Sequence, residues 1–78
     1  MRNVEIGKPL NRSVDSALQG QANFIFAHLQ TGQFETAVLQ FYAVPVNRRP
    51  YVAMWLTSRG TEEGCFDLVR RLIIRATT

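Results

Sequence analysis

The sequence predicts an all-α fold of four antiparallel helices arranged as two helix-turn-helix units. Three observations carry that prediction. Apolar residues recur at helical spacing on both sides of a glycine: Val14, Ala17, Leu18, Ala22, Ile25 and Leu29 before Gly32, then Phe34, Ala37, Val38, Phe41 and Tyr42 after it. The pattern also echoes, because Gly32, Phe34, Glu35 and Ala37 return as Gly64, Phe66, Asp67 and Val69. Finally, Pro45 and Pro50 bracket a short basic loop and part the two units.

Taken in order, residues 1–12 are a polar lead-in broken by Gly7 and Pro9. Ser13 is placed to cap the first helix, with Asp15 in its first turn where the helix dipole favours an acid. This helix is expected to end near Gln30. Gly20 costs it roughly 1 kcal/mol relative to Ala and is expected to mark a close contact. Thr31 can cap the second helix, which runs to about Val44 and stops before Pro45. Ala37, with Phe41 four residues on and Pro45 beyond, has the core spacing of a tetratricopeptide-type (TPR-like) repeat. Pro50 suits the first turn of a third helix, Tyr51 to about Ser58, ended by Arg59 and Gly60. Thr61 then caps a fourth, with Glu62 and Glu63 in its first turn and Arg70, Arg71 and Arg75 later, as the dipole prefers. Cys65, Phe66, Val69, Leu72 and Ile73 form its apolar face. The whole is one domain over 1–78, with hairpins at 13–44 and 50–76.

An α+β alternative stays open. Residues 36–46 and 51–58 are rich in β-formers and could pair as a central hairpin around Asn47 to Pro50.

Seventy-eight residues make a small core, and a chain this short buries only about 60–65% of the surface its unfolded form exposes. One cysteine excludes an intramolecular disulfide, and one cysteine with one histidine cannot close a zinc site. A protein partner is then the expected source of further stability. No apolar stretch reaches the ~18 residues of a membrane span, and the first ten residues do not read as a signal peptide, so a cytoplasmic chain with a reduced thiol is expected.

No sequence feature points to catalysis or a cofactor. His28 lacks a companion nucleophile or second ligand and reads as a surface or packing residue. Cys65 reads as a small core residue, and the adjacent Glu62 and Glu63 as capping residues. The net charge is +3, nine basic residues against six acidic. That leaves a competing reading, a small regulatory domain binding nucleic acid through Arg48, Arg49, Arg70, Arg71 and Arg75 with steep salt dependence. The stronger feature is apolar excess. Two helix pairs cannot hide Phe24, Phe26, Tyr42, Met54, Trp55 and Ile74 together with the rest of the stripe. Stacked repeats bury such faces against neighbours, and two units leave one face open for a partner's amphipathic helix.

The run G-Q-F-E-T-A-V-L-Q-F (Gly32 to Phe41), followed by P-Y-V-A-M-W (Pro50 to Trp55) and a glycine-containing turn, resembles the TPR-like needle-subunit chaperones of bacterial type III secretion systems. The resemblance spans Leu29 to Leu72. It implies a binding activity in the bacterial cytoplasm and not catalysis; the residues themselves hold no metal motif or phosphate loop that would call for a metal or cofactor. The needle subunit's amphipathic C-terminal helix would lie in an apolar groove, which prevents premature polymerisation, and a small helical co-chaperone would dock on the N-terminal side. By repeat position it implies Ala22, Phe26, Leu29, Ala53 and Leu56 as groove residues, and Ile6, Leu10, Val14 and Leu18 as the co-chaperone contact. One departure is plain: Gly32 to Gly64 spans 32 residues (64 − 32) against a repeat of ~34. The second unit is expected to be shorter in its first helix.

Overall fold

The computed structural model describes residues 16–77, and every regular element among them is helical. Helix α1 covers Ser16–Gln30 and α2 covers Phe34–Ala43. A 3-10 turn at Val46–Arg48 leads into α3, Arg49–Glu63, and α4 covers Phe66–Thr77. The all-α expectation holds and the central β-hairpin is overturned. In α2 and its C-cap residue, Ala37, Val38, Phe41 and Val44 are all buried. A strand alternates its faces every residue and would turn two of these four outward, whereas a helix gathers them on one side. Packing overrides the β-propensity of the local residues. Ser13 and Asp15 lie outside the described residues.

The two hairpin turns are copies of one another. Gly32 has φ +80 and Gly64 has φ +77, the left-handed conformation in which glycine carries no Cβ penalty. In the first turn the Gln33 N–H donates to the His28 carbonyl at 2.8 Å and the Gly32 N–H to Leu29 at 3.3 Å. In the second, the Cys65 N–H donates to Gly60 at 2.8 Å and the Gly64 N–H to Thr61 at 3.4 Å. Each is a Schellman motif that satisfies the last carbonyls of one helix and reverses the chain into the next. The offset of 32 residues thus repeats bond for bond. The following helices also start alike: the Gln33 carbonyl accepts from Ala37 N–H at 3.1 Å and the Cys65 carbonyl from Val69 N–H at 3.3 Å.

Several local expectations are corrected. Helix α3 is nearly twice its predicted length, because Arg59 and Gly60 continue it and Gly64 ends it. Glu62 and Glu63 close α3 and do not open α4; they lie 4.0 and 3.7 Å from Arg59, one turn back. Thr61 donates to the Thr57 carbonyl at 2.9 Å, as an interior residue. Thr31 likewise turns back to Ala27 at 3.1 Å and caps nothing ahead of it. Cys65 sits in the turn before α4, half-buried, and not on that helix's apolar face. Gly20 has open space around it, with no atom within 4 Å of a Cβ built there.

Gly60 is where close approach occurs. A Cβ there would lie 2.7 Å from Val69 Cγ2 and 3.4 Å from both the Cys65 carbonyl oxygen and Phe66 Cα. Absence of a side chain lets α3 and α4 cross at this point.

The two hairpins then stack like on like, α1 against α3 and α2 against α4. One continuous core results, centred on Ile25, Leu29, Val44, Val52, Leu56 and Leu72, and no polar or charged residue among those described is buried in it. The Phe26 ring meets Trp55 edge-on, centroids 6.3 Å apart, and the Arg59 guanidinium lies 5.8 Å from the same ring.

Candidate functional site

The residues that the family resemblance implied for a groove fall in the core instead. Ala22, Leu29 and Leu56 are at 1% exposure or less and Phe26 at 5%, while Ala53 is half-buried. The physical reason is that α1 packs on α2 and α3 together, so its apolar stripe is covered on both flanks. These side chains hold the hairpins to each other and do not line an open groove. Leu18, implied for a co-chaperone contact, is also core. Ile6, Leu10 and Val14 lie outside the described residues.

Apolar surface is open elsewhere. Leu39, Val46 and Met54 are between 66% and 72% exposed, and Tyr42 and Tyr51 are about half exposed. All five flank the corner where α2 passes through the 3-10 turn into α3. The sequence reading did not single out Leu39, Val46 or Tyr51 as surface residues. For Leu39 the signal existed: five residues after Phe34, it falls off the face shared by Ala37, Val38 and Phe41, so a helical wheel turns it outward.

Arg49 organises that corner. Its Nε donates to the Val44 carbonyl at 3.0 Å and its Nη2 to the Tyr42 carbonyl at 2.7 Å. Those are carbonyls at the C-terminal end of α2, where no further helical turn supplies a donor and a cation suits the dipole. The guanidinium also lies 5.7 Å from the Tyr42 ring centroid.

The arginines of the nucleic-acid reading therefore divide. Arg49 is committed to backbone, and Arg75 forms a two-pronged pair with Glu35, Nη1 and Nη2 donating at 2.9 and 2.8 Å. That hydrogen bond, then the Glu35 charge, holds the Arg75 guanidinium above its already high ordinary pKa. Arg75 also lies 5.9 Å from the Phe34 ring. Arg48, Arg70 and Arg71 remain exposed. His28 packs on Phe24, ring centroids 4.0 Å apart, with Nδ1 2.8 Å from the Phe24 carbonyl and placed to donate to it.

Chemically the segment from Leu39 to Met54 offers exposed apolar side chains with the exposed Arg48 among them, groups that can contact another helix. No helix of the described residues is long and apolar enough to cross a membrane. Comparison with family models, curated proteins and solved structures found no match.

Proposed function

We propose that this chain is a cytoplasmic chaperone of a bacterial type III secretion system, which covers the amphipathic C-terminal helix of the needle subunit and prevents its premature polymerisation, with a small helical co-chaperone as a second partner. The activity is binding, not catalysis. The resemblance from Leu29 to Leu72 brings this reading to the chain. The observation that carries it is the set of exposed apolar side chains Leu39, Tyr42, Val46, Tyr51 and Met54 about the α2–α3 bend, which include the three most exposed large apolar residues among those described. The proposed site is this corner, while Ala22, Phe26, Leu29, Ala53 and Leu56 belong to the packing between the helices.

A needle subunit polymerises through its apolar helix face, so a cover over that face removes the polymerisation edge. Exposed apolar patches rimmed by polar residues are the usual mark of such docking sites, and a helix laid on them is read by residues at i, i+3, i+4 and i+7. Commitment of Arg49 and Arg75 to internal contacts favours this reading over a phosphate-tracking surface, which needs clustered free cations.

The test is sedimentation of a type III needle subunit with and without this chain. The chain is expected to keep the subunit in a small complex, and Leu39→Asp with Met54→Asp is expected to abolish that while the circular dichroism spectrum stays helical. Polymer forming equally fast with and without the chain would sink the proposal.

A further inference from the structure

The 32-residue offset equates Phe34 with Phe66, Glu35 with Asp67, and Val38 with Arg70. On the first hairpin this face is covered: α4 packs along α2, Arg75 pairs with Glu35 and lies over Phe34, and Val38 is buried. On the second hairpin no described helix packs over the equivalent face. Phe66 is 43% exposed, Asp67 and Arg70 are exposed, and an open cleft of about 300 Å³ is lined by Asp67, Arg70, Arg71 and Ile74. The interface that joins the two hairpins is thus offered again at the end of the stack, with altered chemistry.

We propose that the outer face of α4 is a docking surface for an acidic amphipathic helix of a partner protein, laid along α4 as α4 is laid along α2. The acidity follows from the exchange of Val38 for Arg70. Where α2 buries a valine, α4 presents a guanidinium, with Arg71 beside it, and neither has an ion-pair partner among the described residues. Phe66 and Ile74 supply the apolar part of the contact. A helix with apolar side chains on one face and carboxylates along its flank satisfies both demands.

A second copy of the chain fits poorly, since its described acids are mostly engaged: Glu35 by Arg75, and Glu62 and Glu63 by Arg59. A nucleic-acid backbone has no apolar face to set against the exposed Phe66 and Ile74. This face is separate from the α2–α3 corner, and the inference stands whatever that corner holds.

Isotope-labelled full-length chain should be titrated by NMR with three probes: a helical peptide with leucines on one face and glutamates on its flanks, the same peptide with lysines for glutamates, and a short oligothymidylate. The acidic peptide is expected to shift the amides of residues 66–74 saturably. Arg70→Glu with Arg71→Glu is expected to weaken it about tenfold, the scale of two exposed charge pairs, and to turn preference toward the lysine peptide. Should that variant not fold, the comparison of the two peptides on the unaltered chain decides, with Ile74→Gln as the second substitution. The inference is overturned by no saturable shift, by equal binding of both peptides, or by shifts confined to the α2–α3 corner. Tighter oligothymidylate binding at the same amides would overturn it too, as would concentration-dependent shifts there in the chain alone.

Discussion

Adding one methyl group to the chain should have opposite effects at Gly20 and Gly60. Both are helix-interior glycines, and in both the change to alanine removes backbone freedom from the unfolded chain, a gain of about 1 kcal/mol. At Gly20 nothing lies within 4 Å of the new Cβ, so Gly20→Ala should stabilise by about 0.5–1 kcal/mol. At Gly60 the new Cβ falls 2.7 Å from Val69 Cγ2, where ordinary contact begins near 3.4 Å. Val69 cannot readily swing away. It is fully buried in a helix, where valine has one strongly preferred χ1. Overpacking of this kind costs about 1–3 kcal/mol, so Gly60→Ala should be destabilising by about 1 kcal/mol net. The difference between the two variants cancels the propensity term and isolates the packing clash, about 1–3 kcal/mol. Urea unfolding followed by circular dichroism measures both. In a domain of this size each kcal/mol moves Tm by about 4–8 °C, so thermal melts give a second reading. Val69→Ala in the Gly60→Ala background should recover part of the loss, a coupling expected for residues in contact. Gly60→Ala matching Gly20→Ala in sign and size would refute the close crossing of α3 and α4.

Gly32→Ala and Gly64→Ala should each cost about 1–2 kcal/mol, the penalty for an L-residue in the left-handed region, and denaturant midpoints should agree closely because the turns are copies. A difference above about 1 kcal/mol would show that the copies are not equivalent. Arg49→Met should cost about 1–3 kcal/mol by stripping donors from the Tyr42 and Val44 carbonyls, read as a lowered urea midpoint; an unchanged midpoint would mean that water replaces the guanidinium without loss.

The repeat was the most legible part of the sequence, and the reason is local. A left-handed turn between helices selects glycine by its own backbone geometry, so Gly32 and Gly64 could be recognised without knowing what surrounds them. Gly60 shows the opposite case. Four residues before Gly64, it looks like the same punctuation, but its role depends on Val69 from another helix. Nothing in the residues around Gly60 carries that information, and α3 was cut short as a result. Thr61, Glu62 and Glu63 imitate a helix start for a similar reason: the pattern that favours a first turn also forms pairs with a residue one turn back, here Arg59. For the candidate site, periodicity told which side chains share a face and not what covers that face. Phe26 looks the same in sequence whether it awaits a partner's helix or meets Trp55 and Arg59 of its own chain. Leu39 and Val46 are open because no described helix reaches over them, a property of topology.

Arg49 acts across a joint. It is the first residue of α3, and its side chain grips the end of α2. The bend, a proline and a single 3-10 turn, is closed by the Arg48 and Arg49 N–H groups donating to the Pro45 carbonyl, and the guanidinium adds a second tie from α3 back to α2. The apolar side chains on either side of the bend are therefore held at a fixed spacing before anything binds. On the function proposed above, a partner helix would meet a template already shaped and spend less of its binding energy on ordering it. Loosening this one latch should leave the helices intact while blurring the surface that they present.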